Sequence, residues 1–159
     1  MSQPAFPVRV ALVAGLFGGL IVVAAGCGKP KPPPIVAVKG RITINEAPLG
    51  SARIRFMPTF PGFGAEVIAE GVSDKDGGYS LTCSGSSGAC VGTHRVVVEE
   101  GPLPPGASGE SGEAQMKMTR YLQSLTNRPI PPQYGSIAST PLTVEVKADA
   151  TDYDLKLTR

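Results

Sequence analysis

Apolar and polar residues alternate with a period of two over most of the chain after residue 35, and that period predicts strands. In residues 36–44, Val36, Val38, Ile42 and Ile44 share one parity while Lys39, Arg41 and Thr43 take the other, as a half-buried strand requires. Gly40 interrupts the inward row, which fits a bulge, the close approach of another strand, or a plain loss of packing. Ala52, Ile54 and Phe56 alternate with Arg53, Arg55 and Met57 and predict a second strand over 51–57. A third is expected over 65–71, with Ala65, Val67 and Ala69 inward. His94, Val96 and Val98, then Leu142, Val144 and Val146, then Tyr153, Leu155 and Leu157 repeat the pattern. Each apolar row needs a second layer to bury against, so the expectation is all-β, approximately seven short strands in a two-sheet sandwich.

The intervals between these rows carry turn chemistry. In Val72-Ser-Asp74-Lys-Asp76-Gly-Gly-Tyr79, an Asp can accept local backbone hydrogen bonds and Gly77 can take positive φ, so a reversal is expected before Tyr79 and Leu81. From 101 to 141 the pattern loosens. A Gly- and Pro-rich run at 101–112 reads as an inserted loop, a short helix is expected over 113–125 from the spacing of Met118, Leu122 and Leu125, and a turn-rich path follows through Tyr134. Such an insertion is where a rigid scaffold can carry recognition.

Ahead of the alternating region lies a different pattern. Residues 10–25 are apolar, preceded by Arg9 and closed by Val22-Val-Ala-Ala-Gly-Cys27. This is short for a transmembrane helix of about 20 residues and suits a secretory leader with small residues before its processing site. The run resembles the lipobox of bacterial lipoproteins, with Ala24 where leucine is more typical. By that resemblance 1–26 is a signal peptide, and Cys27 becomes the mature N-terminus with a diacylglyceryl thioether. An uncleaved anchor and a leader cleaved without lipid are the alternatives. Residues 27–35 then form a Pro-rich, semi-rigid tether, and 36–159 the folded domain.

Composition narrows the rest. Twenty glycines, sixteen prolines and no tryptophan in 159 residues imply many turns and a lean core. A formal charge of +2, with the basic residues dispersed along predicted strands, excludes a nucleic-acid platform. Once Cys27 is assigned to lipid and the chain to an oxidising compartment, Cys83 and Cys90 are left to pair as a disulfide, worth roughly 2–3 kcal/mol by loop entropy. Their spacing does not fit a CxxC redox pair.

Candidate chemistry is sparse. Asp74 and Asp76 begin a DxD pattern, but the later bidentate Glu of a calcium loop is missing, and a structural turn is the preferred reading. His94 has no neighbouring nucleophile and orienting acid in a recognised arrangement, and no zinc ligand set accompanies it. No catalytic residue, metal or cofactor is therefore expected. Phe60, Phe63, Tyr121 and Tyr134 are the candidates for an interaction surface, with Phe60 and Phe63 read preferentially as cover for the edge of a small core.

Four segments together carry a family resemblance: Val38-Lys-Gly-Arg-Ile-Thr-Ile, Pro48-Leu-Gly-Ser-Ala-Arg-Ile-Arg-Phe, Ser73-Asp-Lys-Asp-Gly-Gly-Tyr-Ser-Leu and Gly92-Thr-His-Arg-Val-Val-Val. They resemble the carboxypeptidase regulatory-like, transthyretin-like β domains of exported bacterial proteins. Ile130-Pro-Pro-Gln-Tyr-Gly-Ser and Leu142-Thr-Val-Glu-Val are similar to small planctomycete lipoproteins of that class. The resemblance implies a prealbumin-like sandwich without protease activity. The expected function is a non-catalytic cell-envelope lipoprotein, extracytoplasmic and held to a bacterial membrane by lipid. It would act as a structural or binding module for an envelope protein or carbohydrate. An accessory subunit of a transport or surface complex is the alternative, and a hydrolytic enzyme the remote one.

Overall fold

The computed structural model describes residues 31–159. The leader, Cys27 with its expected lipid, and the tether up to residue 30 lie outside the described residues. The chain enters through β1 (Ile35–Val36) and continues as β2 (Lys39–Ile44). Asn45 and Glu46, at φ 47° and 67°, make a tight hairpin turn of the twist that antiparallel strands favour, and the chain returns as β3 (Ala47–Pro48). There follow β4 (Ala52–Pro58), a 3-10 turn at Ala65–Val67, β5 (Ala69–Val72), β6 (Gly78–Ser80), β7 (Thr82–Cys83), β8 (Ser86–Ser87), β9 (Ala89–Cys90) and the long β10 (Gly92–Glu100). Helix α1 (Gly112–Ser124), a 3-10 turn at Pro132–Tyr134, β11 (Thr143–Val146) and β12 (Leu155–Leu157) complete the chain.

These strands form three sheets. Six run in the order β11-β10-β4-β5-β7-β8; β12, β2 and β3 form another with β6 joined to β2; β1 and β9 make a separate two-stranded ribbon. Ile54, Phe56, Val96 and Val98 of the largest sheet and Ile42, Ile44, Leu155 and Leu157 of the second enclose one core. The inward parities expected for β2, β4, β10 and β12 hold.

The expected architecture needs correction. Three sheets, twelve strands among the described residues and a 13-residue α1 replace the seven-stranded, all-β, prealbumin-like sandwich that the pattern and the transthyretin-like resemblance implied. The molecule is β-rich and not a simple two-sheet β-sandwich. Two local causes account for most of the difference. The predicted strand over 36–44 divides: β1 pairs Ile35 with Cys90, while Val38 turns to accept from the Leu81 amide at 3.0 Å. In the insertion, the Ser111 hydroxyl caps α1 by accepting from the Ala114 amide, ahead of good helix formers from Glu113 to Met118. The predicted strand over 65–71 starts late because the Glu66 carboxylate accepts from the Gly64 amide and folds 65–67 into a turn, leaving Ala65 exposed.

Cys83 and Cys90 are also corrected. They are 4.2 Å apart and not bonded, so the expected disulfide is absent. Both are buried, Cys83 opposite Ala69 on β7 and Cys90 opposite Ile35 on β9. The segment between them is ordered by the β7–β8 hairpin and by Gly85 and Gly88 at positive φ, so backbone pairing does the work assigned to a covalent closure. Burial, reinforced by the neighbouring Cys83, pushes the Cys90 thiol up to about 11.

Gly40 has a definite role. A Cβ there would collide with the Tyr153 carbonyl, so of the readings open from sequence close approach is the one that fits, made by the segment leading into β12 and not by a strand. At the Asp74 turn, the carboxylate accepts from the Asp76 and Gly78 amides at 2.9 and 2.8 Å, and Gly77 takes φ 79°. No helix among the described residues is long and apolar enough to cross a membrane.

Candidate functional site

An apolar groove forms where the inserted segment leaves and rejoins the sheet. The chain leaves β10 as Gly101 donates its amide to the Ser51 carbonyl at 2.9 Å, and it returns at Arg128. The Arg128 guanidinium holds both ends together. It reaches the Glu100 carboxylate at 2.6 Å and donates to the Gly50, Ser51 and Thr126 carbonyls at 2.8, 3.1 and 3.2 Å. A planar guanidinium suits this divergent set of acceptors where an ammonium would not.

Between these fixed points α1 lies over the surface and buries only Ala114. Leu103, Tyr121, Leu122, Leu125 and Pro129 line a groove of about 340 Å³, with Glu100 and Arg128 at its rim. Leu103 and Leu122 are 45% and 57% exposed, and full burial of such a side chain is worth about 1.5–3 kcal/mol. The Tyr121 hydroxyl is buried without a hydrogen-bond partner among the described residues, a cost that the fold carries at this position. The arrangement is an apolar floor with a charged rim, suited to binding by burial.

The four aromatic residues singled out from sequence do not assemble into one surface. Tyr121 alone belongs to the groove. Tyr134 is 2% exposed, and its hydroxyl accepts from the Thr158 amide at 2.9 Å and donates to the Thr158 carbonyl at 3.2 Å, tying the 132–134 turn to the C-terminal end. Phe60 and Phe63 meet edge to face at 5.7 Å and pack against the core, with Phe60 set edge-on to His94 at 5.8 Å. His94 is fully buried. Its Nδ1 bonds the Gly92 carbonyl at 2.9 Å, Nε2 has no partner among the described residues, and burial lowers its pKa.

A second concavity lies elsewhere, a polar trough of about 800 Å³ on the outer face of β2 and β6. Ser80 and Gly78 of β6 stand opposite Lys39 and Arg41 of β2. On the other side Lys39 bridges to Asp152 at 3.6 Å and the Arg41 amide donates to the Asp154 carboxylate at 2.8 Å. Asp74 closes one end. Beneath, the buried Tyr79 hydroxyl donates to the Tyr153 carbonyl at 2.5 Å, and burial followed by the Asp154 charge raises its pKa. Neither this trough nor the roles of Leu103 and Arg128 were singled out from sequence. The available signal was the opposite charge at matching parity, Lys39 and Arg41 on one strand against Asp152 and Asp154 on another.

Among the described residues no three His, Cys, Asp or Glu side chains stand together as a metal ligand set. Compared with protein-family models, with curated proteins and with solved structures, the chain matches none of them.

Proposed function

We propose that this chain is a non-catalytic, lipid-anchored module of a bacterial cell envelope that binds a protein segment in the apolar groove beside α1. The observation carrying this reading is the separation between the tether and the groove. The tether joins the fold where the Val91 amide donates to the Pro34 carbonyl at 2.9 Å, immediately before β10. The groove begins at Glu100 and Gly101, the other end of that nine-residue strand, about 27 Å away along it. From Cys27 to Ile35 the chain spans at most about 28 Å. A lipid on Cys27 would attach the chain at its β1–β9 end, with the groove at the end of β10 away from that attachment. Exposed Leu103 and Leu122 supply apolar area, and the Glu100–Arg128 pair supplies a polar rim, the composition of a small protein-binding patch.

The test combines fractionation with affinity purification from solubilised membranes. Wild-type protein should sediment with membranes and Cys27→Ser should not; a defined partner should co-purify with wild type and be lost with Leu122→Asp. Soluble wild-type protein, or a partner indifferent to Leu122→Asp, contradicts the reading.

A further inference from the structure

We propose that the trough on β2 and β6 is a second binding site, for a neutral polyhydroxylated chain: a glycan. The inference is independent of the apolar groove. Pairing of β2 with β6 on one side and with the segment leading into β12 on the other arranges the trough in two rungs. Ser80, Lys39 and Asp152 form the first; Gly78, Arg41 and Asp154 form the second, about 6.6 Å further along the strand. On a face open to solvent, the first rung sets the Lys39 ammonium beside the Asp152 carboxylate, and in the second the Asp154 carboxylate takes the Arg41 backbone amide and leaves the guanidinium free among the described residues.

That alternation selects the ligand class. A phosphate or sulfate entering to meet Lys39 and Arg41 also meets Asp152 and Asp154, with Asp74 at the end of the trough. A polyamine meets the reverse conflict. Hydroxyl groups escape both, because each can donate to a carboxylate and accept from an ammonium or guanidinium, forming charge-assisted bonds on both sides. The existing contacts yield readily: Lys39 and Asp152 are 63% and 70% exposed at 3.6 Å, a pair that solvent screens strongly. The Arg41 guanidinium has no partner among the described residues. The Asp74 carboxylate fills the space left by the missing side chain of Gly78, and Val72, 46% exposed, offers an apolar wall for the C–H face of a sugar ring. The volume, about 800 Å³, admits several rings.

The test uses the full chain in detergent, isotope-labelled for NMR, titrated with a neutral β-linked tetramer of N-acetylglucosamine. In parallel, sedimentation with the insoluble polymer of the same sugar distinguishes a polymeric source from a free oligosaccharide. Amide shifts confined to 39–41, 78–80 and 152–154 with the tetramer support a free oligosaccharide, and co-sedimentation without such shifts supports the polymer. In either case Arg41→Gln and Asp152→Ala should weaken binding at least tenfold while leaving the remaining spectrum unchanged. Absence of binding in both formats overturns the proposal. So does equal binding of a polygalacturonate or a glucosamine oligomer, or undiminished binding by both variants.

Discussion

The Tyr153 carbonyl occupies the space that a Cβ on Gly40 would take, and the Tyr79 hydroxyl donates to that same oxygen at 2.5 Å. The Tyr153 amide in turn donates to the Lys39 carbonyl at 2.8 Å, so the missing side chain lets the C-terminal segment lock onto β2 and form one wall of the trough. Gly40→Ala should lower stability by about 2–3 kcal/mol through overpacking. Tyr79→Phe should cost about 1 kcal/mol for the lost hydrogen bond. Urea midpoints at constant slope measure both, and a neutral Gly40→Ala would show that the close approach is not required.

His94 makes stability depend on pH. Its folded-state pKa is lowered, chiefly by burial, so the unfolded chain takes up a proton first as the solution is acidified. Stability is full above about pH 6.5 and declines below it, with a slope approaching about 1.4 kcal/mol per pH unit. Replacing the ring, as in His94→Leu, should flatten that slope between about pH 6.5 and 5.5, where exposed carboxylates stay ionised. A slope unchanged in the variant would assign the effect to another group.

Arg128 joins the two ends of the insertion to the β3–β4 turn, and its side chain is only 14% exposed. Arg128→Ala should destabilise the fold by about 2 kcal/mol, because the Gly50 and Ser51 carbonyls lose a charged donor. Arg128→Lys should recover only part of this. Hydrogen exchange should rise most over 101–128 in the Ala variant; uniform acceleration would mean that the residue supports the whole fold instead.

The two thiols should behave as buried and reduced. Native protein should resist alkylation at Cys83 and Cys90, and protein unfolded in urea without reductant should take up label at both. Recovery of a species that labels only after reduction would contradict the free-thiol state.

The parts of this fold legible from sequence are those where one strand buries one face. Ile42 and Ile44, Ile54 and Phe56, and Val96 and Val98 are buried as their parity requires, because a period of two leaves no other way to hide them. Helix α1 was legible to within a residue at each end, from Met118, Leu122 and Leu125. The two-residue strands β1, β3, β7, β8 and β9 were not, since strands so short are defined by their partners and carry no period. Cys83 and Cys90 were misread because counting cysteines says nothing about whether backbone pairing already orders the loop between them. The groove was only half visible: Tyr121 was named, while Leu103 and Arg128 join it through chain reversals that no local pattern encodes. The trough depends on Lys39 meeting Asp152, residues 113 positions apart in the chain.

Site-specific photo-crosslinking in intact cells tests the groove most directly, with the reactive group placed at Leu122 and, as a control near the tether, at Ser86. The expected result is a discrete protein adduct from Leu122 that disappears when Leu125→Asp is added, and no protein adduct from Ser86. A bare Leu122 position, or the same adduct from both positions, would contradict the assignment of the groove as the binding face.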